Sequence, residues 1–144
     1  MSIANYSTKV DTKKTVNEIM GMLSTHGATE ITTIVRGRVF EGMTFAVITE
    51  YGPRTFSLPI RVNGVSEAML ADHSVPRSLL GEKQASRVAW RIARDWLRSQ
   101  LALIDAGLAA LDEVMLPYML ADSGKTMYEL MKNQQTAITK GEES

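Results

Sequence analysis

The residues with the clearest chemical character lie in one stretch, Glu82 to Arg98. At 100° per residue, Arg87, Arg91, Arg94 and Arg98 fall within about 60° of one another on a helix, and Lys83 extends the row. Guanidinium groups grip phosphate and carboxylate through paired N–H donors, so such a row suits an anion. Like charges one turn apart also repel by a few tenths of a kcal/mol, roughly, per pair. A helix face serving solubility alone would mix signs. The competing reading is a solvated face, with its arginines paired to Glu82, Asp95 or acidic residues elsewhere. Trp90 lies at the edge of the row. Its indole can stack on a nucleobase or turn inward against a sheet with its N–H satisfied. Trp96 points to the opposite, apolar face.

Further arginines come from strands and turns: Arg36, Arg38, Arg54 and Arg61. Arg54, in the turn Tyr51-Gly52-Pro53-Arg54, can close a pocket if the sheet faces the helix; scattered surface positions are the alternative. The candidate ligand-binding set is therefore Arg87, Arg91, Arg94, Arg98, Trp90 and Arg54. No catalytic, cofactor or metal set accompanies it. His26 and His73 lack metal-ligand spacing. Asp72-His73-Ser74 is no triad, because neighbouring side chains diverge. Ser123-Gly124-Lys125-Thr126 resembles the end of a phosphate loop, but Met119 stands where the first glycine belongs. A helix starting there can still offer amides to an anion. The expectation leans against an enzyme.

The chain has 144 residues and no net charge, with a lopsided distribution. Residues 1–100 hold 13 of the 16 basic residues and 9 of the 16 acidic ones, and every Arg lies between Arg36 and Arg98. A neutral chain is not a generic DNA coater; a local anion site remains open to it, as does pairing of the two halves. There is no cysteine, which excludes disulfides and fits a reducing cytoplasm. No apolar run is long enough to span a membrane, and the N-terminus lacks a signal-peptide pattern.

These side chains must be positioned by an α+β architecture. Residues 1–10 read as an extended arm or first strand. Val16, Ile19, Met20 and Leu23 form one apolar stripe, Asp11 or Thr12 can cap it, and Gly27 can end it, which predicts a helix over 12–26. The Ile, Thr and Val content then changes to β, with strands over 30–36, 43–50 and 55–60 and turns at 37–42 and Gly52-Pro53. A small antiparallel meander of three strands within 29–60 must cover its apolar face with helices. Asn63 can cap a short helix from Gly64 to Ala71, and 72–81 is a loop. A helix unbroken over 82–116 would be about 50 Å long at 1.5 Å per residue, more than the roughly 35–40 Å width of a domain of this size. It must break near Gly107, protrude, or pack against another subunit, which favours a homo-oligomer through this helix. A loop over 118–125 and a final short helix over 126–133 complete a single domain at 1–135, with 136–144 a disordered tail.

Several stretches carry a resemblance: Lys14-Thr15-Val16-Asn17-Glu18-Ile19 with His26-Gly27-Ala28; Tyr51-Gly52-Pro53-Arg54-Thr55-Phe56-Ser57-Leu58-Pro59; Arg87-Val88-Ala89-Trp90-Arg91 with Asp95-Trp96-Leu97; and Leu116-Pro117-Tyr118-Met119. Over roughly residues 3–130 they resemble a family of short proteins encoded by phages, prophages and metagenomic contigs. A small N-terminal sheet followed by long C-terminal helices is also similar in layout to the first family of Thoeris anti-defence proteins. Those are sponges that sequester cyclic ADP-ribose isomers between protomers with arginines and aromatics. No residue of that family's pocket transfers to this chain. The resemblance implies a non-catalytic binder of a phosphorylated or nucleotide-like anion in the host cytoplasm. The alternatives are a nucleic-acid accessory protein of phage replication and an interaction module that blocks a host factor.

Overall fold

In the computed structural model, residues 2–134 are described. The expected tail over 136–144 lies outside them. The chain is α+β as expected: α1 (Thr12–Thr25), β1 (Ala28–Arg36), β2 (Val39–Thr49), β3 (Gly52–Ser57), α2 (Val62–Ala71), α3 (Glu82–Asp105) and a single turn, α4 (Leu111–Val114). Residues 127–134 are also helical. The strands form one antiparallel sheet in the order β1-β2-β3.

Most local signals were legible. α1 ends at His26 with Gly27 at φ 97°, a left-handed position that glycine fills without strain. The hairpin turns are tighter than expected. Only Gly37 and Arg38 separate β1 from β2, and Glu50-Tyr51 rather than Gly52-Pro53 makes the second turn. Pro53 sits within β3 opposite Ile48. The arm over 2–10 is not a strand. The Gln84 amide holds it, donating to the Tyr6 and Thr8 carbonyls at 3.0 and 2.9 Å.

Of the three options for the long helix, the structure takes the break. α3 stops at Asp105, which makes it about 36 Å long. Gly107, at φ 75°, donates to the Ile104 carbonyl, and Leu108 donates to the Leu103 carbonyl at 2.9 Å. This paired closure is the Schellman ending that a left-handed glycine permits. The helix finds cover within its own chain. One buried cluster joins Val16, Ile19 and Leu23 of α1 to Met43, Phe45 and Phe56 of the sheet and to Trp90, Leu97 and Leu101 of α3. Phe45 and Phe56 stack at its centre, 5.4 Å apart. A second cluster joins α2, through Val62 and Met69, to Ala85, Val88 and Ala89. Burying α3 therefore requires no second subunit. Gly107→Ala is expected to lower stability by about 1 kcal/mol, the cost of a side chain in the left-handed region. Urea unfolding measures it, and an unchanged midpoint would contradict this account of the helix end.

Candidate functional site: the seam between α1 and α3

α1 and α3 run side by side in the same direction, joined by four polar contacts in chain order. Thr12 Oγ1 meets Ser86 Oγ at 3.2 Å. Glu18 Oε2 accepts from Arg91 Nη1 and from Arg94 Nε, both at 3.1 Å. His26 Nε2 meets Asp105 Oδ1 at 2.8 Å. The seam falls where it does because Glu18, Met22 and His26 recur every four residues, forming one row along α1.

This seam takes up the middle of the arginine row. Arg91 and Arg94 are half-buried and share one carboxylate, and Arg94 also donates to Asp95 at 3.0 Å. Arg87 Nη1 donates to the side-chain Oε1 of Gln84, while its own Nε is buried without a partner among the described residues. Arg98 is exposed and has no ion-pair partner among the described residues. Trp90 is the clear correction. It is fully enclosed, its N–H donates to the Phe40 carbonyl at 2.9 Å, and the Phe40 ring packs edge-on against it. The sheet covers α3 on that flank, so the indole offers no face for a base. Arg54 is not brought to the helix row. It donates to the Pro53 carbonyl and lines a separate groove with Met119, Leu120 and Met127.

Open space occurs at both ends of the seam. At the C-terminal end, Arg94, Arg98, His26 and Asp105 edge a groove of about 320 Å³ floored by Met22, Leu101 and Ala102. At the N-terminal end lies a larger cleft of about 580 Å³. Lys13 reaches it from α1, Arg38 from the β1–β2 turn and Lys83 from α3, around Phe40 and Ser86. No ion pair within 4.0 Å engages any of these three cations among the described residues. Two acids, Asp11 and Glu82, share the rim. The cleft also lies at the N-terminal, positive ends of two parallel helices, where backbone N–H groups favour negative charge. None of the helix arginines Arg87, Arg91, Arg94 and Arg98 lines this cleft; Arg38 of the β1–β2 turn shares it with Lys83 instead. Lys13 and Phe40 were missed, because only the packing of α1 on α3 brings them to Lys83.

Two other motifs resolve as local structure. Asp72 accepts from Ser74 N and Oγ at 2.9 and 2.6 Å, closing a turn. Thr126 and Glu129 cap each other, Thr126 Oγ1 accepting from Glu129 N and Glu129 Oε1 from Thr126 N. That helix start is thus already satisfied by its own side chains. Among the described residues, no three His, Asp or Glu side chains cluster as a metal site would need.

The fold and cleft define a small helix-and-meander protein with a basic cleft between parallel helix starts. No family model, curated protein or solved structure matches the chain.

His26 bridges the seam, its ring nitrogens meeting the Met22 carbonyl at 2.7 Å and Asp105 Oδ1 at 2.8 Å. Hydrogen bonding to the Met22 carbonyl raises its pKa above the usual 6.5, burial works against this, and Asp105 adds to the rise. Only the imidazolium donates to both partners at once. A raised folded-state pKa means that this contribution is complete below pH 6.5 and is lost as pH rises through the folded value. Wild-type stability should therefore decline as pH rises from 6.5, and His26→Gln should flatten that decline in urea titrations at stepped pH; parallel profiles would argue against the bridge. Separately, Glu18→Gln should cost about 1 kcal/mol, because two half-buried guanidinium groups lose their shared carboxylate while solvent screens part of the effect. Thermal melts at pH 7 would measure it.

Proposed function

We propose that this chain binds a small phosphorylated, nucleotide-like anion without turning it over. The reading follows the phage anti-defence sponge that the sequence layout resembles, with the host cytoplasm as its setting. One observation carries it: Lys13, Arg38 and Lys83, in no ion pair among the described residues and drawn from three elements, line one cleft with Asp11 and Glu82 at the positive ends of two parallel helices. Phosphate oxygens would take these cations and the free helix N–H groups. The Phe40 ring gives the cleft an apolar wall. The volume of about 580 Å³ falls within the usual range for small-ligand sites, roughly 300–1,000 Å³. Sequestration requires tight binding and slow release but no general acid or base, so the cleft needs no catalytic constellation. Arg98 and Arg94, at the other end of the seam, provide a second and smaller anion groove.

The test is isothermal titration of the full chain with cyclic ADP-ribose isomers and cyclic oligonucleotides. Binding at micromolar protein is expected. Arg38→Glu with Lys83→Glu should weaken it at least tenfold, while Arg98→Glu should leave it within about twofold. If Arg98→Glu alone abolishes binding, the ligand belongs to the C-terminal groove. Silence with every ligand would remove the sponge reading. Affinity for labelled oligonucleotides that falls steeply with salt would favour the nucleic-acid reading instead.

A further inference from the structure

The two edges of the sheet are treated differently. Along β3 the chain closes its own edge: Met119 bridges Phe56, and Leu120 N donates to the Thr55 carbonyl at 2.8 Å. Along β1, a strand of nine residues, no strand pairs with the outer edge among the described residues. Exposed edges usually carry a lysine, a proline or a bulge that discourages pairing. β1 has neither lysine nor proline; its register with β2 shifts between Ala28 and Glu30 and between Ile34 and Val35, and from Glu30 to Ile34 it is uninterrupted. Ile34 and Val35 on this strand are about half exposed, at 45% and 51%.

The sequence of this edge is complementary to itself. When Glu30-Ile31-Thr32-Thr33-Ile34-Val35-Arg36 meets an antiparallel copy centred on Thr33, each Glu30 lies opposite an Arg36. Ile31 then lies opposite Val35, Thr32 opposite Ile34, and Thr33 opposite itself. Residues opposed in this way share a face of the sheet, as antiparallel pairing requires. Centring on Thr32 instead would set Glu30 against Ile34 and Arg36 against Ala28, leaving both charges without a partner. Arg36 already reaches Glu41 at 3.3 Å, yet its side chain is 83% exposed and can serve a second carboxylate.

We infer that β1 is a homodimer edge, pairing with β1 of a second copy about a two-fold axis through Thr33 to form one continuous six-stranded sheet. A two-fold contact of this kind is closed, so it satisfies both open edges without propagating a fibre. The pairing does not depend on the anion-binding proposal.

Sedimentation velocity of the full chain from about 1 to 100 µM tests the pairing, with circular dichroism melts to confirm that each variant folds. The wild type should be a dimer at the upper concentrations. Glu30→Arg sets arginine against arginine and should raise the dimer Kd at least tenfold. Adding Arg36→Glu exchanges the two charges and should restore dimerisation to within about threefold of wild type. Deletion of residues 135–144 should leave the dimer unchanged. A wild type monomeric throughout, a dimer indifferent to Glu30→Arg, or a double variant as weak as the single one would each overturn the inference. So would a chain that dimerises only after the deletion, since its own C-terminal residues would then be what covers β1.

Discussion

The parallel alignment of α1 and α3 is the constraint on which the rest depends. Helices lying side by side in one direction bring like ends of their dipoles together, which is unfavourable without compensating charge. The chain supplies that charge at both ends. Asp11 and Glu82 stand at the two helix starts, and His26, whose protonated form is favoured by Met22 and Asp105, stands at the end of α1. Between them Glu18 binds Arg91 and Arg94 and fixes the register of one helix against the other. With that register set, the apolar stripe of α1 and the inner face of α3 close over Met43, Phe45 and Phe56.

The fold was largely legible because its signals are local. The stripe Val16–Ile19–Leu23, the left-handed glycines at 27 and 107, and the β-branched run after Gly27 each act within a few residues. Two errors were also local: Gly37-Arg38 makes a shorter turn than the glycine spacing implied, and Pro53 is held in a strand. The site was less legible, because its meaning depends on which faces meet. Arg91 and Arg94 look the same on a helical wheel whether they bind a ligand or Glu18. The clue lay on the other helix, where Glu18 and His26 recur in one row with Met22. Trp90 shows the same limit. Being near the arginine row does not put an indole in solvent when a sheet covers that flank, and the Phe40 carbonyl satisfies its N–H.

The length argument for an oligomer changed in kind. A helix of 35 residues would have outgrown its domain; the helix observed has 24 and is buried by its own chain. What is left open instead is a strand edge. An unsatisfied row of N–H and C=O groups is directional in a way that exposed apolar surface is not, so it specifies a partner's geometry. In the pairing proposed for β1, Glu30 and Arg36 would add a charge requirement that a second copy of this chain meets.

The charge imbalance along the sequence acquires a spatial meaning in the same way. Part of the basic excess of residues 1–100 is paired at the centre of the seam by Glu18, and Lys13, Arg38, Lys83 and Arg98 stand at the seam's ends, while Arg54 lines a separate groove. Those ends are not equivalent. Arg98 lies toward the negative ends of α1 and α3, beside Asp105. Lys13, Arg38 and Lys83 lie at the positive ends, beside Asp11 and Glu82. The arginine row that marks this sequence therefore serves, through Arg91, Arg94 and Glu18, to orient α3 against α1.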